Sequence, residues 1–427
     1  MVTSMKPADI ASAATIAPVG AGAGGASGLR AGDLSRGTNQ SGVRLYNERL
    51  VLALIRRHGA LPKAEIARLT GLSAQTITLI MRQLSADGLV LEGEPQRGRV
   101  GQPSVPFSLD PDGALSLGLK IGRRSMDLVL IDFLGRVRRL QRTTYIYPTP
   151  RAVCDFVAMG VAAIVAELPP ALAARVTGLG VASPFELWNW ETEAAAPRDL
   201  LALWRGIDIH AEIAAVSPYP VVLCNDATAA CAAELVFGNP KHRTDFLYVF
   251  VGYFIGGGVV LGGSLYPGRS GNAGALGSMP VLPAVAGAAP AQLIHAASLA
   301  ALERRLEAAG LDPMLIWQTP DRWDEIEPHV AAWLAEVGDH LAVAIVAALS
   351  VVDFEAVVID GGFPARIRAR LVAELGAKLP RLNWSGLTPA EVEEGTVGSE
   401  ARAIGAASLP LLETYARDRE ILFKETK

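Results

Sequence analysis

Apolar residues recur at helical intervals between residues 45 and 88, and from about residue 114 they regroup into short runs of alternating strand and helix character. In 45–58, Leu45, Leu52 and Ile55 mark one face of an amphipathic helix, with Arg49, Arg56 and Arg57 expected outward. In 61–88, Ala64, Ile66, Ala67 and Leu69 keep helical spacing as far as Thr70-Gly71, where glycine supplies the left-handed residue that ends a helix. Ser73 is placed to cap a second helix whose inner side is Ile77, Ile80, Met81 and Leu84 and whose stop is Asp87-Gly88. Two short helices joined by one tight turn, with a third to close a core, predict a helix-turn-helix. The second helix presents Gln75, Thr76, Thr78, Arg82 and Gln83 outward, where its early positions would meet base edges and phosphates in a major groove. A strand at 89–92 and the Gly/Pro-punctuated stretch 94–106 predict a wing. Arg97 and Arg99 there form an Arg-Gly-Arg triplet suited to a narrow minor groove. An ordinary helical hairpin with a solvated linker fits the bare pattern as well. The third helix, the wing and the local charge favour DNA, with Lys63, Ser73, Gln75, Thr76, Thr78, Arg82, Arg97 and Arg99 as the candidate contacts.

Residues 41–110 hold nine Lys/Arg against six Asp/Glu, whereas the whole chain has a formal net charge of -4. Phosphate neutralisation supplies most non-specific DNA affinity, so a modestly basic module on an acidic body would touch DNA through that module alone. A module this small buries limited surface, which favours a homodimer or homotetramer on a palindromic double-stranded operator. At 427 residues, 50% of them hydrophobic, the chain exceeds what one core organises. Cys154, Cys224 and Cys231 form no CxxC pair, which suits a reducing cytosol and signals no metal site. The longest apolar run, 341–352, is too short to span a bilayer and no export signal is seen, so a cytoplasmic protein with no membrane partner is expected. Residues 1–38, rich in Ala, Gly, Ser and Pro, predict a disordered tail.

Further along, strands are expected at 114–121, 126–132, 136–142, 176–182, 221–223, 246–252, 256–263 and 356–360. Helices are expected at 151–168, 227–237, 291–309, 328–350 and 364–379. Two α/β lobes with a cleft between them follow. The helix-turn-helix, Val181-Ala182-Ser183-Pro184, Cys224-Asn225-Asp226-Ala227, Gly256-Gly257-Gly258, the run GRSGNAGALGS at 268–278 and Asp360-Gly361-Gly362 together resemble the ROK family (repressor, ORF, kinase) in order and spacing. The resemblance covers residues 40–410. That family joins bacterial sugar kinases to sugar-responsive transcription factors. It implies an α/β fold: an N-terminal winged helix-turn-helix followed by a two-lobed actin-like (ribonuclease H-like, sugar-kinase) body. The expected organisation is a tail at 1–38, a DNA-binding domain with linker at 39–110, a first lobe at 111–240 and a second at 241–427.

Departures from the kinase pattern separate the family's two branches. The kinases' first phosphate loop reads Asp-x-Gly-x-Thr, and the matching Lys120-Ile121-Gly122-Arg123-Arg124 lacks both carboxylate and hydroxyl; Lys120 cannot hold magnesium. The second loop, Gly-Thr-Gly, reads Gly252-Tyr253-Phe254, which blocks close backbone approach to phosphate. Arg123 and Arg124 either bind an anion or pack. The family's Glu-x-Gly-His, which touches sugar and binds zinc, reads Ala275-Leu276-Gly277-Ser278. No catalytic residue, metal or cofactor is therefore expected. Asn225 and Asp226 match the family's sugar-contacting pair and are equally placed to cap a helix. Ser183, Asn272 and Ser278 complete the expected effector contacts, with Trp188 and Trp190 as stacking faces or core and Trp204 as structural.

The resemblance and its departures imply a sugar-responsive DNA-binding regulator with a degenerate kinase-like body that binds a small sugar, polyol or sugar derivative; the sequence leaves repressor or activator open, and the family's usual behaviour implies a repressor of carbohydrate uptake or catabolism genes. A ligand favouring one lobe arrangement would reset the DNA modules through a Pro-rich link at 96–111. Two readings stand beside it: a DNA-binding regulator without an effector, and a bifunctional sugar kinase, which would need the phosphate loops missing here.

Overall fold

The computed structural model describes residues 40–96, 104–145, 147–184, 202–239, 241–281, 291–318 and 320–416. In the N-terminal module, α1 (Gln40–His58), α2 (Lys63–Thr70) and α3 (Ala74–Ala86) close over Val51, Leu52, Ile55, Ile66, Ile77, Ile80, Met81 and Leu84. Gly71, at φ 70°, ends α2 with its N–H donating to the Ala67 carbonyl. Ser73 Oγ accepts from the Thr76 N–H at 3.1 Å and starts α3, a cap whose removal costs about 1 kcal/mol. Ala64 and Leu69 turn out exposed, so α2 buries a narrower stripe than its spacing suggests.

Three short strands, β1 (Ala60–Pro62), β2 (Val90–Glu92) and β3 (Pro106–Leu109), make an antiparallel sheet in the order β1-β3-β2. A bridge between Gln96 and Ser104 carries the β2–β3 hairpin toward its tip. The segment expected to link module and body is therefore the wing's return arm. Phe107 and Leu109, each 3% exposed, anchor it in the module's core, and hydrophobic burial overrides the turn-rich composition.

The body contains the same sheet plan twice. The first sheet orders β6-β5-β4-β7-β8, from β4 (Leu115–Ile121), β5 (Ser125–Ile131), β6 (Val137–Thr144), β7 (Val176–Ser183) and β8 (Val221–Asn225). The second orders β11-β10-β9-β12-β13, from β9 (Phe246–Val251), β10 (Ile255–Leu261), β11 (Ser264–Tyr266), β12 (Ala356–Gly361) and β13 (Glu391–Glu394). Each is an antiparallel meander of three strands extended by two parallel ones. The central strands β4 and β9 are buried on both faces and accordingly apolar, whereas β6 carries Arg138, Arg139 and Arg142 along an edge that charge protects from pairing.

Helices α4 (Pro150–Ala166) and α5 (Ile209–Val216) pack with the first sheet, and α7 (Leu299–Ala308), α8 (Glu327–Leu349) and α9 (Ala365–Lys378) with the second. By length and apolarity α8 passes for a membrane span, but Val330, Trp333, Val337, Leu341 and Ile345 are core, with Trp333 Nε1 donating to the Ser298 carbonyl at 3.1 Å. The helix expected over 291–309 breaks at Ala297-Ser298, because Ser298 Oγ accepts the Ile255 N–H at 2.9 Å.

Among the described residues, two helices lie between the sheets: α6 (Asp226–Phe237) and α10 (Ala401–Tyr415). α10 returns to the first sheet, against the expectation that 241–427 would form the second lobe alone. Its approach is backbone to backbone: a Cβ on Gly180 of β7 would lie 1.7 Å from the Ala406 carbonyl oxygen, and one on Gly405 only 1.8 Å from that of Ala229 in α6. Only glycine permits these crossings.

Candidate DNA-binding surface and ligand cleft

On α3, Gln75, Thr78 and Arg82 are exposed and Thr76 half-buried, on the face opposite the buried Ile77, Ile80, Met81 and Leu84. Ser73 and Thr76 hydroxyls hydrogen-bond each other at 2.8 Å, and Thr78 Oγ1 donates to the Ala74 carbonyl at 2.8 Å. Gln83 is less available: its amide accepts from Arg44 at 3.2 Å and donates to Asp87 at 2.9 Å. Lys63 is exposed at the start of α2, its ammonium 5.1 Å from the Phe107 ring centroid. Arg97 and Arg99 lie outside the described residues. Leu79, 62% exposed on α3, is a surface residue that sequence reasoning passed over; its place outside the apolar stripe was the signal.

The module is clamped to the body by arginines. Arg56, expected on the outer face of α1, instead enters the junction. It donates to the Phe133 carbonyl at 2.6 Å and lies 4.8 Å and 5.6 Å from the ring centroids of Phe133 and Phe237. Burial lowers its pKa to about 10, with Asp132 opposing that shift, so it stays charged at neutral pH. Arg49 also turns to the body, donating to the Ala416 carbonyl at 3.0 Å. From the body side, Arg175 Nη1 reaches the carbonyls of Gly113 at 2.8 Å and Gly88 at 3.2 Å, placing positive charge at the C-terminal end of α3. One continuous apolar cluster joins Ile55, Phe107 and Leu109 of the module to Val129, Ile131, Phe133, Ala407 and Leu411 of the body.

Between the lobes a cavity of about 270 Å³ opens, at the small end of ligand pockets, which run from roughly 300 Å³. Asn225, Asp226, Asn272 and Ser278 line it; Ser183, 7% exposed, sits beside the lining Pro184. Asn225 Oδ1 caps α6, accepting from Ala227 N at 3.0 Å and Thr228 N at 3.3 Å, so its amide nitrogen is the group left to offer. Asp226 is held by Arg402 of α10, Nη1 to Oδ2 at 3.2 Å, and Arg402 lies 5.0 Å from the Phe250 ring centroid. The sequence reading missed Arg402, which has no motif signal because its partner is 176 residues away. Trp188 and Trp190 lie outside the described residues. Trp204 is structural: 3% exposed, with Nε1 donating to the Pro148 carbonyl at 3.0 Å.

Side chains fill the two turns whose sequences were compared with the kinases' phosphate loops. Lys120, 5% exposed, bonds Ser125 Oγ at 2.7 Å and Asp127 at 3.2 Å. Burial and, next, the nearby Arg402 lower its pKa to about 8, against Asp127. Burial opposes ionisation of Asp127, but Lys120 and Arg142 together outweigh it and hold the carboxyl below the usual range. Arg123, in the β4–β5 turn, stacks on Tyr147 at 4.1 Å and, across the cleft, on Tyr253 at 5.5 Å. Tyr253, in the β9–β10 turn, packs in turn on Phe254 and Trp317. Asp360 is buried in structural bonds to Tyr248, Arg368 and the Gly361 and Gly398 amides.

Comparison with known proteins agrees with this geometry. The ROK family model matches residues 116–412, and a winged helix-turn-helix DNA-binding model matches 44–90. The chain belongs to the ROK family. This ROK protein is 24% identical over 243 residues to the xylose repressor of Bacillus subtilis, a match covering 57% of this chain and 62% of that one. A ROK family transcriptional regulator, a homologue of the Escherichia coli MLC protein, superposes with a TM-score of 0.63 at 20% identity over 90% of this chain and 99% of that one. A ROK family glucokinase from Streptomyces griseus, solved with glucose and AMPPNP, superposes with a TM-score of 0.56 at 20% identity over 69% and 99%. At these identities the two structures share the fold, an α/β body that kinases and regulators have in common.

Proposed function

We propose that this ROK protein is a sugar-responsive transcriptional repressor that binds operator DNA through α3 and the wing, and that its body is a ligand-operated lever without phosphotransferase activity. The observation that carries the reading is the course of α6 and α10. Both start at the cleft, where Asp226 pairs with Arg402, and both end under the DNA module, where Phe237 stacks on Arg56, Tyr415 packs on Phe133 at 5.0 Å and Ala416 accepts from Arg49. α6 alone spans about 18 Å. A ligand that alters the spacing of Asp226 and Arg402 therefore moves rigid rods whose far ends hold the module, and two-state coupling needs no flexible link.

The absence of kinase chemistry rests on the loops. Phosphoryl transfer needs metal-bound phosphates cradled by backbone and a carboxylate, and here those positions hold Lys120, Arg123 and stacked aromatics. Asp226 Oδ2 is also already engaged by Arg402 at 3.2 Å. The DNA contacts are assigned to Gln75, Thr76, Thr78 and Arg82, with Lys63, Ser73, Arg97 and Arg99 in support, and the effector contacts to Ser183, Asn225, Asp226, Asn272 and Ser278. A symmetric cytoplasmic oligomer on a palindromic site would provide the specificity one small module lacks. The test has two parts. Selection from random duplex DNA should enrich a sequence with two half-sites. A coupled ADP-release assay with ATP and a panel of monosaccharides should stay at background; turnover would overturn the non-enzymatic reading, and unenriched DNA the regulatory one.

A further inference from the structure

The cavity's described lining carries more positive than negative side chains. Arg123 and Arg402 contribute guanidinium groups, and Asn225 and Asn272 amides; among the lining residues described, Asp226 is the one carboxylate, and Arg402 already occupies one of its oxygens. Arg123 is 5% exposed and oriented by Tyr147 and Tyr253, so its planar fork is held in place before any ligand arrives. Arg402 is also mostly covered, its side chain 15% exposed and held by Asp226 through Nη1 at 3.2 Å. Two guanidinium groups against one carboxylate give the described lining a positive excess, which favours an anion over a neutral sugar.

From this we infer that the cleft takes an anionic carbohydrate, one whose carboxylate or phosphate is bound between Arg123 and Arg402 at the seam of the two lobes. The inference deepens the repressor reading and rests on it for the consequence of binding, though not for binding itself. Charge-assisted bonds to two guanidinium groups are about twice as strong as neutral ones, and Arg presents a planar fork that matches both anions. Arg123 belongs to the first lobe's opening hairpin and already touches the second lobe through Tyr253, while Arg402 holds Asp226. An anion seated there competes with Asp226 for Arg402 and so acts at the head of both rods.

The experiment is calorimetric titration and thermal melting of the full-length protein with D-gluconate, D-glucuronate, D-glucose 6-phosphate, D-glucose and inorganic phosphate. The inference expects at least one sugar acid or sugar phosphate to bind at least tenfold more tightly than D-glucose and inorganic phosphate. The carboxylate and phosphate arms separate the two sources of charge. R402Q and R123Q, checked for fold by circular dichroism, should each weaken that binding at least tenfold, and R123K should recover only part of it because an ammonium lacks the fork. Equal binding of D-glucose, binding of inorganic phosphate alone, no binding at all, or an R402Q and R123Q pair that binds the acid normally would each overturn the inference. Should D-glucose bind and release operator DNA, the inference fails while the repressor reading stands. An acid that binds without affecting DNA leaves the inference standing and removes the reading.

Discussion

Replacing Arg56 by Met tests whether the DNA module is a rigid extension of the body. Met keeps an apolar stem in the junction and removes the guanidinium. The hydrogen bond to the Phe133 carbonyl at 2.6 Å is charge-assisted and contributes about 1.5–3 kcal/mol, and the two aromatic contacts add about 1 kcal/mol each. Against this stands the cost of burying the cation: a pKa held at about 10 rather than 12.5 corresponds to about 3 kcal/mol. The terms nearly cancel, and the unpaired Phe133 carbonyl left by Met tips the balance, so docking should weaken by about 1–2 kcal/mol. Hydrogen exchange reads this directly. Amides of α1 and of the hairpin around Phe133 that exchange through undocking should speed up about 5- to 30-fold in Arg56→Met, with α8 and α9 unchanged. Equal acceleration throughout would mean that Arg56 supports global stability rather than the junction, and unchanged exchange near Phe133 would refute the clamp.

Further outcomes follow from the same geometry. Lys120 has a folded pKa lowered from 10.5 to about 8, so between those values the unfolded chain holds more protons and folding stability rises with pH. In Lys120→Met that rise, read from urea melts at pH 8 and 9.5, should be shallower by up to about 1.4 kcal/mol per pH unit; identical slopes would dismiss a buried, titrating Lys120. Gly405→Ala would force a Cβ to within 1.8 Å of the Ala229 carbonyl oxygen, backbone against backbone, and should cost about 3 kcal/mol or more in thermal melts, a neutral result placing the helices further apart than described. On DNA, Gln75→Ala should lose about 1–3 kcal/mol of discrimination at one or two base pairs, whereas Arg82→Ala should weaken all sequences alike and reduce the salt slope by about one. The same loss from both, blind to sequence, would move the recognition face elsewhere.

Elements with a strong local signal were legible in the sequence. Ser73, Gly71 and the Ile77-Ile80-Met81-Leu84 stripe locate α2 and α3 because caps and periodicity are local signals, and the buried β4, β5 and β9 announce themselves as apolar runs. Signals that depend on distant partners were not legible. α10 carries Pro410 and small residues chosen to fit Gly118 and Gly180, so its pattern resembles neither an amphipathic helix nor a strand, and β13 is a charged edge of four residues. Arg49 and Arg56 read as solvent-facing because basic residues on a helix usually are, and only the folded junction supplies their carbonyl and aromatic partners. At the cleft, Asn225, Asp226, Asn272 and Ser278 were marked by motif, while Arg402 became visible only when α10 returned to meet α6.

The central claim is that cleft and DNA module share one mechanical element, and operator affinity measured with and without ligand tests it most directly. Full-length protein is titrated onto a labelled duplex obtained by selection, first in buffer and then with the sugar acid, sugar phosphate or neutral sugar that raises its melting temperature most. The account predicts at least a tenfold weaker Kd in the presence of ligand, and a response that collapses toward unity in Arg56→Met. An operator Kd unchanged by a ligand that demonstrably occupies the cleft would contradict it.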